Sequence, residues 1–226
     1  MYKNLEVLSK EKFQDIKFNN VSAAETGKTL SFIPVGFAEI IDMCSIAPVI
    51  IFGNEDELEF IGLFGLTPEM SVFNKQQLLA PLYLRSYPFV NIVAKNDDKL
   101  TSVIGIDKNK DHVSKKATNS IFDGKGELTK EANAKVEMVR ELNRQREVSK
   151  ALIKLFKEKN LLVQKDFKVK VGDKEKVIVE KFYVIDREKM MQLDDAILVE
   201  WTKKGWTTLV DCHLKSLSNF GLIASI

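Results

Sequence analysis

Cysteine and histidine are scarce in this chain, two of each among 226 residues. Cys44 and Cys212 stand far apart and form no CxxC pair. That is the usage of a reducing compartment, where disulfides do not carry stability, and both read as core thiols. Combined with His112 and His213 they match the ligand spacing of no zinc module. A mononuclear iron site of two histidines and a carboxylate is also disfavoured. His112 is followed by Val113-Ser114 and His213 by Leu214-Lys215, with no acid two places on. No cofactor is expected. Excess charge of one sign is missing too: 34 basic residues face 32 acidic ones, so no net field points to nucleic acid.

Long apolar runs are absent. The greasiest stretch, "SFIPVGFAEIIDMCSIAPVIIFG", is interrupted by Pro34, Glu39, Asp42 and Pro48 and is too broken to span a membrane. The N-terminus, "MYKNLEVLSKEKFQDIKF", lacks the apolar core of a secretory signal. A cytoplasmic protein is expected, one that reaches a cell surface only by a non-Sec route. With five prolines, 11 glycines and no low-complexity tract, nothing marks a linker, and residues 1–226 read as a single domain.

What is present is hydrophobic patterning. Phe37, Ile40, Ile41 and Cys44 recur at helical spacing after Pro34 and predict a short amphipathic helix with that face inward. "VIIF", the polar turn Asn54 to Glu57 and "LEFIGLFGL" predict two strands, with Gly62 and Gly65 read as bulges. Pro88 to Val93 and "LTSVIGID", separated by Asn96-Asp97-Asp98-Lys99, predict another antiparallel pair. From Thr129 to about Lys159 neither Gly nor Pro occurs, which predicts one long helix. Met138, Leu142, Leu152 and Phe156 share one of its faces, with Gln145 and Ser149 as a polar middle. "LLVQKDFKVKV" and "KVIVEKFYVI" around Gly172-Asp173 predict a hairpin. Asp186 or Asp194 reads as a cap of short helices before Gly205, and Trp206 to Val210 as a last strand leading into "DCHLKSLSNFGLI". The fold class is α+β: antiparallel sheets of meander and hairpin strands, one long helix (about 129–159) and several short helices.

Three places carry possible chemistry. Asp107, Asn109 and Asp111 alternate as oxygen donors do in a calcium loop. His112 then replaces the turn glycine and Thr118 the bidentate glutamate, so a solvated turn is expected and no metal. Asp211, His213 and Ser216 lie close together near the C-terminus. On a strand Asp211 and His213 share a face, on a helix His213 and Ser216 do, and local sequence cannot satisfy both. The plainer reading is a partly buried, hydrogen-bonded His213 where a final strand meets a final helix, with Ser216 or Ser218 as that helix's cap. Arg85, among Tyr83, Tyr87, Pro81 and Pro88, offers a planar fork for a carboxylate or phosphate, or for a tyrosine face and one acid. Residues 125–159 carry ten basic side chains against six Glu, a surplus that reads as a solvated face laced with pairs such as Glu131 with Lys135.

Taken in order, "FAEIIDMCSIAPVIIF", "IGLFGL", "YLRSYPF", "IGID", "IFDGKGELT" and "CHLKSLSNFGLI" resemble the SapC family, named for a protein of bacterial paracrystalline surface layers. "LLAPLYLRSYPF" departs from the pattern: Leu79-Ala80-Pro81 stands where an aromatic is expected closer to the proline. The resemblance implies a soluble protein accessory to surface-layer production or attachment, whose partner is a surface-layer protein or its export machinery. It implies no established reaction. The alternative is an enzyme or small-molecule-binding protein with a pocket around Arg85, Asp211 and His213.

Overall fold

The stretch free of Gly and Pro forms one helix, Lys130–Glu158. The computed structural model describes residues 2, 4–28, 30–54, 57–65, 80–96, 99–171 and 174–224. Of the turns expected at 54–57, 96–99 and 172–173, residues 55–56, 97–98 and 172–173 lie outside the described residues, as does Leu79. Thr129 caps the long helix: its Oγ1 accepts from the Ala132 N–H at 3.3 Å and donates to the Ser120 carbonyl at 2.7 Å. A first-turn N–H without an intrahelical acceptor is thereby satisfied. Val136, Val139 and Leu142, then Leu152, Ile153 and Phe156, make the buried stripe, with Gln145 and Ser149 buried between them. The polar middle of the seam is therefore present, and the Ser149 hydroxyl donates to the Gln145 carbonyl at 2.9 Å. Three basic residues of the exposed face pair one turn back, Arg140 with Glu137, Arg144 with Glu141 and Lys150 with Glu147. Lys135 instead donates to the Arg85 carbonyl at 2.5 Å.

By contact the chain parts into two compact units, Met1–Gly27 with Ala80–Arg144, and Lys28–Leu79 with Gln145–Ile226. In chain order the strands among the described residues are β1 (Leu5–Val7), β2 (Lys17–Phe18), β3 (Phe32–Pro34), β4 (Val49–Asn54), β5 (Glu57–Leu63) and β6 (Phe89–Asn96). There follow β7 (Lys99–Asp107), β8 (Val113–Ser114), β9 (Asn119–Ser120), β10 (Leu162–Val171) and β11 (Lys174–Ile185).

In the first unit β6 and β7 pair antiparallel from Phe89 opposite Ile106 to Asn96 opposite Lys99, and β1 adds to the far edge of β7. A second small sheet has the order β8-β2-β9. Phe13, Phe18, Phe89, Ile106, Val113, Ile121, Val136 and Val139 pack as its core. The Phe18 and Phe89 rings meet edge to face, centroids 5.3 Å apart, the arrangement their quadrupoles favour.

The second unit is built on one antiparallel sheet of order β10-β11-β4-β5-β3. The expected α+β class and the long hairpin are both present. Bulges fall elsewhere than expected: β4 and β5 keep one register through Gly62, and the irregularity lies in β11, which carries extra residues opposite Phe167 of β10. Gly62 is small because a Cβ there would come within 2.7 Å of the Phe64 ring. The short helical stretch after Pro34 is present as Phe37–Glu39 and Ile40–Met43, but Ile41 points outward and Met43 inward. Asp186 caps the helix Arg187–Met190 by accepting from the Lys189 N–H at 3.1 Å.

Trp206 to Val210 is not a strand. It opens a helix, Trp206–Ser216. Gly205, at φ 73°, takes the left-handed turn that separates it from the helix Asp195–Lys203. The β-branched and aromatic run Trp206 to Val210 favours a strand locally. Leu209, Val210, His213 and Ser216 are the buried positions, and that spacing is helical, so packing overrides propensity.

On the sheet, Arg146 grips Glu59 with both fork nitrogens, at 2.7 and 3.1 Å, and Lys150 approaches the same carboxylate at 3.7 Å. Both partners of the fork are mostly shielded, 28% and 18% exposed at the side chain. Arg146→Ala is therefore expected to lower stability by about 1–2 kcal/mol, above the usual surface pair. Arg146→Lys should recover less than half of it, because an ammonium cannot reproduce the planar fork. Urea unfolding of the three proteins measures this.

Candidate functional site

The stretch Asp211 to Ser216 lies on a helix, where residues two apart diverge by about 200°. Asp211 and His213 therefore face opposite ways. Asp211 is exposed and accepts from Arg187 Nε at 2.8 Å. His213 is fully buried, and its Nε2 accepts from the Ile185 N–H at the end of β11, 3.3 Å away. An accepting Nε2 places the proton on the buried Nδ1. Burial pushes the imidazole's pKa down to about 4, with the Val49 backbone opposing. The ring is thus neutral at physiological pH.

Ser216 is equally committed. Its Oγ accepts from the Val49 N–H at 2.9 Å and donates to the His213 carbonyl at 2.5 Å. A nucleophilic serine needs its hydroxyl hydrogen-bonded to a base and open to substrate. Here the hydroxyl is sealed and satisfied by backbone. His213 and Ser216 fasten the helix to β11 and β4, and Phe60 packs its ring edge-on against His213 at 6.0 Å. The plainer of the two sequence readings describes these contacts, except that Ser216 binds a strand rather than capping a helix.

Arg85 belongs to the first unit, Asp211 and His213 to the second. The Arg85 side chain is exposed and has no acidic partner among the described residues. Asp107 is buried, with Oδ1 accepting from the Asn4 N–H at 3.1 Å and Oδ2 from the Tyr87 hydroxyl at 3.3 Å. Burial first, and then Asp107, push the Tyr87 phenol up, so it remains a donor. Asn109 Oδ1 accepts from the Asp111 N–H at 3.2 Å and closes the turn. Asp107 thus ends β7 and Asn109 and Asp111 belong to the turn that follows, and no cluster of three or more His, Cys, Asp or Glu able to hold a metal gathers among the described residues.

The other shared motifs are structural as well. In "FDGKG" the Asp123 carboxylate accepts from the Lys125 and Glu127 N–H groups at 2.8 and 3.0 Å. The Glu127 N–H is the first cause that holds its pKa down. Gly126, at φ 84°, completes the loop. In "RSYPF", Ser86, Tyr87 and Phe89 are buried. A SapC family model matches residues 8–222. The chain belongs to the SapC family. No curated protein and no solved structure matches it. The stretches "FDGKG", "RSYPF" and "CHLKSL" thus include turn-closing and buried residues of their units. No helix among the described residues is long and apolar enough to cross a membrane.

The sequence reading missed an open apolar groove of about 670 Å³ on one face of the five-stranded sheet. Phe32, Ile50, Phe52, Ile61, Leu63 and Val179 line it, with Glu180 and Lys181 as its charged members. Ile50 pairs with Ile61 and Phe32 with Leu63 across the ladder, so their side chains share that face. Phe32 is 63% and Phe52 43% exposed. Alternation along β4 held the signal: Ile50 and Phe52 face one way, Val49 and Ile51 the other.

Proposed function

We propose that this chain is an accessory protein of bacterial surface-layer production or attachment that works by binding, its partner a surface-layer protein or a component of the export machinery. The observation that carries the reading is the commitment of Asp211, His213 and Ser216 to an ion pair and to backbone groups. None of the three is free for turnover, so the stretch that looks most like an active site is a fastening. Family membership supplies the biological setting. The protein acts in the cytoplasm, or at the surface after a non-Sec export step. Crosslinking in native cells, pull-down of the tagged protein and mass spectrometry should enrich surface-layer subunits or exporter components at least about tenfold over an untagged control. Recovery of the protein alone would count against this role.

A second reading rests on the groove. Its volume is within the usual range of small-molecule sites, and its lining suits an apolar ligand. A fluorescent apolar dye should bind the wild type and lose at least about tenfold in affinity with Ile61→Lys, because a charge in an apolar site must be desolvated.

A further inference from the structure

The chain's two cysteines, remote in sequence, are brought together in the second unit. Cys44 follows the last turn of the helix Ile40–Met43, and that helix packs on Trp206–Ser216, which carries Cys212. The juxtaposition is fixed from both sides. Cys212, Ser216 and Asn219 recur at i, i+4 and i+7, one stripe of a helical run. Ser216 holds the Val49 N–H at 2.9 Å, and Asn219 Nδ2 donates to the Cys44 carbonyl at 2.9 Å. The third member of that stripe, the Cys212 thiol, interacts with the Cys44 thiol. Both residues are free thiols and only half-buried, so small reagents reach them.

We propose that Cys44 and Cys212 are a redox-responsive dithiol, which a low-molecular-weight disulfide converts into an intrachain bond between the end of Ile40–Met43 and the helix Trp206–Ser216. In the first step one cysteine thiolate attacks the reagent's S–S bond, forms a mixed disulfide and expels one small thiolate. The second cysteine thiolate attacks the protein-bound sulfur and expels the other. Two protein thiols are oxidised, the reagent is reduced to two thiols, and both protons leave on those thiols. Burial, and then Cys44, push the Cys212 thiol up. Attack by the Cys212 thiolate accordingly quickens with pH. A reducing cytoplasm keeps the pair open, whereas an oxidising surface closes it, tying together segments that are remote in sequence.

The test treats the purified full chain, first reduced, with oxidised glutathione. The expected result is a monomer whose intact mass falls by both thiol hydrogens, with peptide mapping that links the Cys44 and Cys212 peptides. Its melting midpoint should rise by about 5 °C or more and return on reduction. Cys44→Ser and Cys212→Ser should each stop at a mixed disulfide with no such rise. Glutathione retained on both cysteines of the wild type, a crosslink only between chains, or no loss of thiols over hours at pH 8.5 would overturn the proposal. The mass of the wild type decides it even if a variant fails to fold.

Discussion

His213→Ala should lower the unfolding free energy by about 3 kcal/mol at pH 7. The imidazole accepts the buried Ile185 N–H, and stranding such a donor costs about 1–3 kcal/mol. Truncation also leaves a cavity against Phe60, which adds to the loss. Urea midpoints of the two proteins measure the difference. A catalytic His213 would instead leave the midpoint nearly unchanged.

The same residue sets an acid limit. Its folded pKa, about 4, lies below the unfolded value of about 6.5. The unfolded chain therefore takes up the proton first as pH falls. The contribution is fully present above pH 6.5 and is lost as pH falls through 4, about 3 kcal/mol in all. The deficit of His213→Ala should accordingly shrink towards zero near pH 4. Melts at pH 7, 5.5 and 4 follow it.

Phe89→Ala should cost about 4 kcal/mol, the larger effect in the first unit. The ring is fully buried, packs edge-on against Phe18 and belongs to the core with Ile106 and Val136. Truncating a buried phenylalanine costs about 3–5 kcal/mol. Phe89→Leu should cost under half as much, since most of the volume is kept. Circular dichroism during urea unfolding measures both. If "RSYPF" served a ligand instead, Phe89→Ala would fold almost normally.

These two residues explain what could be read from the chain in advance. The long helix, the hairpin and the β6–β7 pair are strongly periodic over eight residues or more, so pattern alone places them. β1 and β2 offer only three and two residues, too few for a period to register, and they went unseen. Trp206 to Val210 misled because β-branched side chains state a local preference that burial of Leu209, Val210 and His213 outweighs. The candidate site turned on the same point. Whether Asp211 and His213 act together depends on a period of 2 or 3.6, and the answer lies in β11 and β4, distant in sequence. Arg146 with Glu59 and Cys44 with Cys212 are likewise pairs that no local window contains.

The most direct test of whether the family's motif residues fasten the fold is an NMR titration of the His213 imidazole. A neutral Nδ1–H tautomer titrating near pH 4 is the expected result. A ring that titrates at or above 6.5, or that carries its proton on Nε2, would contradict the account.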